Sequence, residues 1–184
     1  MSAKLLLASA SPQRRAILEQ LGVAFDVAAQ DVEELAAGDP AQVALENARR
    51  KARSAADAHP GRLVLGCDTV VALDGAIYGK PESEGRARET LGVLAGRTHD
   101  VVSGLVVGDR QAVSTTRVTF RPLTTPMVDW YVATGEWEGR AGGYAIQGRG
   151  AALVRAIEGD YLNVVGLPVA TLLDLAPELV TPTA

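Results

Sequence analysis

Two turn signals constrain this chain more than any other feature. Asp74-Gly75 separates an apolar run at 62–73 from a short one at 76–78, and Gly108-Asp109-Arg110 separates runs at 100–107 and 112–120. Turn residues of this kind between strand-like runs predict two β-hairpins. Helical patterns surround them. The longest covers 40–58 and is stopped by His59-Pro60-Gly61. Others cover 11–21, closed by Gly22, then 82–94, 126–134, and a last one that follows Gly166-Leu167-Pro168 and runs to Ala176. Residues 4–8 and 25–28 read as short strands, with an acidic loop over 30–39. Residues 151–157 read as a later strand, with 161–165 expected to pair beside it. Mixed strands and helices in this order predict an α/β fold around one central sheet. With 184 residues the chain holds one sizeable core and is too short for two ordinary domains. A single domain over 1–184 is expected, with a loose tail at 177–184.

The charge balance excludes several functions. A net charge of -4 is wrong for a protein whose whole surface binds nucleic acid or an anionic membrane, so any anion must be caught by a local cluster. The single cysteine, Cys67, allows no intrachain disulfide, which fits a reducing cytoplasm. The first apolar run is far too short for a signal-peptide core or a membrane span. A soluble, cytoplasmic protein is the expectation.

Six segments contain residues that an ordinary core would not. In SASPQRR, Ser11-Pro12 opens a helix, which puts Arg14 and Arg15 in its first turn. The helix dipole disfavours cations there. Free N–H groups, serine hydroxyls and guanidiniums together make a phosphate site; the alternative is two solvated arginines. On the 40–58 helix, with about 100° per residue, Lys51 falls within about 40° of the stripe formed by Ala44, Ala48 and Ala55. An inward lysine needs a partner or a wet cleft, unless its stem lies along the stripe and its amine reaches water. Asp68 interrupts the apolar strand VLGCDTVVAL and is a candidate general base or metal ligand, or else a structural aspartate at a bulge. Cys67, pointing to the opposite face by strand alternation, reads as core. The loop GRAGGYAIQGRGA has five glycines between Gly139 and Gly150, with Tyr144 and Gln147 among them. Glycine lets backbone approach a ligand, and a glutamine amide offers both donor and acceptor to a base edge. The apolar Tyr144-Ala145-Ile146 in its middle argues against a floppy connector. Lys80 in GKPES says little alone, and Glu33 and Glu34 are candidates to hold a divalent cation or form a solvated turn. As a set, these residues describe a nucleotide polyphosphate site and metal-assisted attack of water on phosphorus.

The segments ASASPQRR, ARRKA, GCDTVV, the GKP loop, GGYAIQGRGA and YLNVVGLP, in this order from Leu5 to about Leu175, resemble the Maf family of nucleoside triphosphate pyrophosphatases. The resemblance implies a fold related to the inosine triphosphate pyrophosphatases, with a long mixed sheet, flanking helices and two lobes around a deep cleft. It implies cleavage between the α and β phosphates to a nucleoside monophosphate and pyrophosphate, with Mg²⁺ or Mn²⁺. By the same resemblance Asp68 is the proton acceptor. Ser9, Ser11, Arg14 and Arg15 hold phosphate, Lys51 and Lys80 neutralise charge, and Glu34 lies near the metal with Asp68. Thr69 and Gln147 resemble the branch that acts on dTTP and UTP rather than the branch selective for 7-methyl-GTP. Gln13 departs from both branches, which typically carry arginine or tryptophan there, and so marks a specificity position. The family also suggests a homodimer. A nucleotide-sensing regulator of cell division is the alternative of another class; Asp68, Lys51 and Lys80 favour the enzyme.

Overall fold

The computed structural model describes residues 4–29 and 31–180. In chain order its elements are β1 (Leu5–Leu7), α1 (Pro12–Gln20), β2 (Phe25–Val27), α2 (Pro40–Ala58), β3 (Val64–Leu73), β4 (Ala76–Tyr78), α3 (Glu84–Leu94), β5 (Thr98–Val107), β6 (Arg110–Phe120), α4 (Thr125–Val132), β7 (Val154–Glu158), α5 (Tyr161–Val165) and α6 (Val169–Leu175). Both expected hairpins form. The β3–β4 turn puts Asp74 at φ 52° and Gly75 at φ 79°, the left-handed pair that matches the twist of a two-residue hairpin.

The strands make one seven-stranded mixed sheet in the order β2-β1-β3-β5-β6-β7, with β4 also paired to β3. β1 runs parallel to β2 and β3, and the β3–β5, β5–β6 and β6–β7 pairs are antiparallel. One edge of β3 is shared by two short partners. β1 pairs with Val64 and Leu65, and β4 pairs with Val71, Ala72 and Leu73. Among the described residues, 66–70 therefore have a strand partner only on the β5 side. Asp68 sits in the middle of that gap.

The two faces of the sheet differ. On one, α2 lies close against β3 and β5. A Cβ built on Gly66 would stand 2.4 Å from the Ala48 carbonyl oxygen, and one on Gly104 would stand 2.5 Å from the Ala44 backbone. Glycine on the strands and alanine on the helix are what permit this approach. On the other face, alternate residues of β3 and β5 build two apolar clusters. Cys67 and Leu105 join Leu5, Leu7, Leu18 and Leu172 in one, while Val71 and Val101 join Leu91, Phe120, Tyr131 and Tyr144 in the other. Between them, at the same pleat, stand Thr69 and Ser103, whose hydroxyls are 2.8 Å apart. That polar break separates the two apolar clusters.

One element departs from its expected form. Residues 161–165 do not pair with β7; they form α5. The Asp160 carboxylate accepts the Leu162 N–H at 2.8 Å and caps the helix, while Gly166 at φ 133° ends it. β7 instead pairs with β6. Residues 149–153, partly expected in that strand, make a 3₁₀ turn. The tail begins with a 3₁₀ turn at Pro177–Leu179, and residues 181–184 lie outside the described residues. No helix among the described residues is long and apolar enough to cross a membrane.

Candidate active site

The gap in β3 and the polar break beside it open into one cavity of about 470 Å³, within the size range of small-molecule sites. Ser9, Ser11, Gln13, Arg14, Glu34, Lys51, Asp68, Thr69, Lys80 and Gln147 all line it. They come from segments far apart in sequence. Arg15 is the exception among the candidates. It is exposed and lies outside the cavity lining, because one residue along a helix turns the side chain by about 100°.

Arg14 is 8% exposed. Ser11 caps α1 by accepting the Arg14 N–H at 3.4 Å, and Ser11 Oγ donates to Gln13 Oε1 at 3.1 Å. The Arg14 guanidinium donates to the Gly166 carbonyl at 2.8 Å, Ser9 Oγ at 2.9 Å and Thr69 Oγ1 at 3.2 Å. All three acceptors are neutral. Among the described residues no carboxylate pairs with this guanidinium, so its charge is directed at the cavity uncompensated. A buried cation in this state favours an anionic ligand.

Across the cavity the charges are paired. Lys51, 8% exposed, places Nζ 2.6 Å from Asp68 Oδ1 and 2.7 Å from Glu34 Oε1. The helix-wheel position of Lys51 is explained by this: the lysine reaches down the alanine stripe to a carboxylate that the strand could not otherwise bury. Asp68 Oδ2 accepts from Asn47 Nδ2 at 3.1 Å. Each carboxylate oxygen has two lone pairs, so Asp68 keeps acceptor capacity toward the cavity. Among the described residues Glu33 offers its carbonyl, to Arg50.

Glu34 and Asp68 meet at a single ammonium, so their oxygens can meet at a single cation. Hard carboxylate oxygens suit Mg²⁺ or Mn²⁺. Among the described residues no third acidic, histidine or cysteine side chain joins them. That matches the way Mg²⁺ is held by one or two carboxylates plus substrate phosphates. The residues present fit such an ion.

Cys67 is buried on the opposite face, and burial pushes its thiol pKa up. Its Sγ donates to the Gly166 carbonyl at 3.6 Å. A buried thiol of this kind is a core residue and not a nucleophile.

The far wall is the Gly-rich loop, and it is ordered by packing. Tyr144, Ala145 and Ile146 are buried, and the Ala145 N–H donates to the Tyr131 hydroxyl at 2.9 Å. Gly142 has φ 69°, donates its N–H to the Gly79 carbonyl, and lies where a Cβ would meet Val71 at 2.9 Å. Only glycine satisfies both demands. Gln147 is exposed on this wall.

Two residues at this wall carry no signal in local sequence. Arg140 lines the same wall, with its Nε buried and unpartnered. His99 stands behind it, sharing a 2.9 Å hydrogen bond between Nε2 and the Tyr144 hydroxyl. Asn47 was detectable: it lies one turn before Lys51, about 60° from Ala44 on the wheel that exposed the lysine.

Comparison with known proteins gives the family. The family model described as Maf-like protein matches residues 4–179. A protein of Symbiobacterium thermophilum named dTTP/UTP pyrophosphatase is 48% identical over 171 residues, covering 90% of this chain and 88% of its own. Proteins of the same name from Deinococcus radiodurans and Pyrococcus furiosus are 44% and 41% identical, each across 94% of this chain and 91% and 93% of their own. Among solved structures, protein VC0702 from Vibrio cholerae shares the fold with a TM-score of 0.51 at 14% identity, across 97% of this chain and 98% of that one. The family match over nearly the whole length, and relatives well above a third identical, make this chain a member of the Maf family.

Proposed function

We propose that the protein hydrolyses dTTP and UTP to the nucleoside monophosphate and pyrophosphate. The observation that carries the reading is a division of charge within one cavity: a buried guanidinium with only neutral partners faces a buried carboxylate held by a lysine. Nucleotide triphosphate is the ligand that needs both, an anion to complete the first and a hydrolysable bond for the second. The names of the relatives point to thymidine and uridine triphosphates.

In this reading Ser9, Ser11 and Arg14 bind phosphate oxygens at the start of α1, where the backbone N–H groups add partial positive charge. Asp68 accepts a proton from the water that adds across the α–β anhydride. The bridging bond breaks and pyrophosphate leaves, its new charge met by Lys51 and Lys80. Glu34 and Asp68 would hold a divalent cation, Mg²⁺ or Mn²⁺, which when bound supplies further neutralisation of the phosphates. Thr69, fixed by Ser103 and Arg14, lines the cavity with Gln13 and the Gly-rich loop's Gln147; in this reading these three meet the base. A reducing cytoplasm suits a chain with one buried cysteine.

Pyrophosphate release by the purified protein with Mg²⁺ or Mn²⁺ tests this, against dTTP, UTP, 5-methyl-UTP, CTP, 7-methyl-GTP, GTP and ITP. Turnover of the thymidine and uridine group, lost in Asp68→Asn, is the expected result. Turnover of 7-methyl-GTP alone would retain the chemistry and overturn the substrate. Full activity in Asp68→Asn would overturn Asp68 as the proton acceptor.

A further inference from the structure

Asn47 is 1% exposed, and its amide is fully engaged. Oδ1 accepts the Leu35 N–H at 2.7 Å, while Nδ2 donates to the Leu35 carbonyl at 3.0 Å and to Asp68 Oδ2 at 3.1 Å. The two bonds to Leu35 give that peptide what a neighbouring strand would give it, in a segment that belongs to no helix or strand. The third fixes the carboxylate. One turn further along α2, Arg50 Nη1 donates to the Glu33 carbonyl at 2.8 Å, and Lys51 Nζ pairs with Glu34 at 2.7 Å. Positions 47, 50 and 51 have the spacing i, i+3, i+4 and share one helix face. That face grips three consecutive loop residues, Glu33, Glu34 and Leu35. Asn47 is the member that also touches Asp68.

We propose that Asn47 acts in the hydrolysis as a positioning residue, using one buried amide to hold Asp68 Oδ2 and the Leu35 peptide so that the Asp68 and Glu34 carboxylates keep one fixed relation. The inference rests on Asp68 being the proton acceptor. The physical need is clear: the terminal torsion of an aspartate is broad, and a 1 Å misplacement in a catalytic site costs about 100-fold in rate. With the amide in place, Asp68 Oδ1 stays on Lys51 and the carboxylate plane is set from both sides.

Two variants separate positioning from mere packing. Asn47→Ala removes all three bonds and should lower kcat by about 10- to 100-fold with little change in KM. Asn47→Asp keeps the shape and the acceptor for the Leu35 N–H but loses the donor to Asp68 Oδ2, so it should lower kcat about as far as Asn47→Ala, again with little change in KM.

Folded fraction is followed by circular dichroism in each variant, and Asp68→Asn is assayed alongside. A loss of kcat that only tracks the loss of folded protein would make Asn47 structural and overturn the inference. Wild-type kcat in both Asn47 variants, with Asp68→Asn inactive, would overturn it while leaving the proton acceptor intact. An active Asp68→Asn would instead remove the reading beneath it, and this inference with it.

Discussion

His99 has no place in the proposed chemistry, and burial sets its behaviour. It is 1% exposed, its Nδ1 lacks a hydrogen-bond partner, and desolvation lowers its pKa from 6.5 to about 4. Between those values the unfolded chain binds a proton that the native chain does not. The free energy of unfolding therefore rises with pH across this window and falls as the medium is acidified through it. The shift corresponds to about 3 kcal/mol, fully lost below about pH 4. Urea unfolding between pH 7 and pH 4 should show the wild type losing up to about that much more stability than His99→Asn. Parallel slopes in the two proteins would mean that His99 charges in place without cost. Tyr144 differs only in direction: burial raises its hydroxyl pKa, so it stays a neutral partner to His99. At this scale the sequence was informative where a residue broke a pattern. Asp68 interrupted an apolar strand and Lys51 sat on an alanine stripe, and both proved to be partners of one another. His99 broke no pattern, because polar residues at strand ends are ordinary and its contact with Tyr144 spans 45 residues.

Among the elements, α2 matters most, since Asn47, Arg50 and Lys51 all leave from it. Its depth is set by two strand glycines, Gly66 and Gly104, against its alanines. Gly104→Ala forces a methyl to within 2.5 Å of the Ala44 backbone, which cannot yield as a side chain would. Overpacking of this kind costs about 1–3 kcal/mol. It should also lift Lys51 and Asn47 from Asp68, so activity should fall beyond what the lost stability explains. Gly92 in α3 is the control, with nothing within 4 Å of where a methyl would stand. Gly92→Ala should raise stability by about 0.5–1 kcal/mol through helix propensity alone. Thermal melts of the two variants check both signs, and equal shifts would remove the argument for close packing. The helix over 40–58 was fully legible, because a proline start, a small-residue stripe and a Pro-Gly stop agree. The segment 161–165 was not. Its composition, rich in tyrosine, leucine and valine, suits a strand, and the Asp160 cap with the buried Asn163 bonds to the Val101 carbonyl and Thr116 Oγ1 overrides it.

At the scale of the whole molecule, the site exists because β1 and β4 leave the same edge of β3 uncovered between them. Strand order is set by long-range pairing and cannot be read from local pattern, which is why the residues of the cavity could be named from sequence but their meeting could not. The same fact makes the site a property of the native state alone, so a ligand that binds there must stabilise the fold. At 100 times its Kd, such a ligand adds about 2.7 kcal/mol. For a chain of 184 residues, 1 kcal/mol moves Tm by about 2–4 °C, so a shift of about 5–11 °C is expected. The α,β-methylene analogue of dTTP with Mg²⁺ allows this to be read without turnover. Asp68→Asn should retain binding at the same analogue concentration, but Arg14 is the sharper probe. Its guanidinium has only neutral partners in the free protein. If it is a phosphate ligand, Arg14→Ala should weaken binding at least tenfold and cut the shift by about 1.4 kcal/mol, or roughly 3–6 °C. Arg15→Ala, one residue further on and outside the cavity, should leave the shift unchanged. Equal shifts for Arg14→Ala and the wild type would make Arg14 a structural tie between α1, Ser9 and Gly166, and the anion would have to be held by Lys51, Lys80 and the backbone of α1.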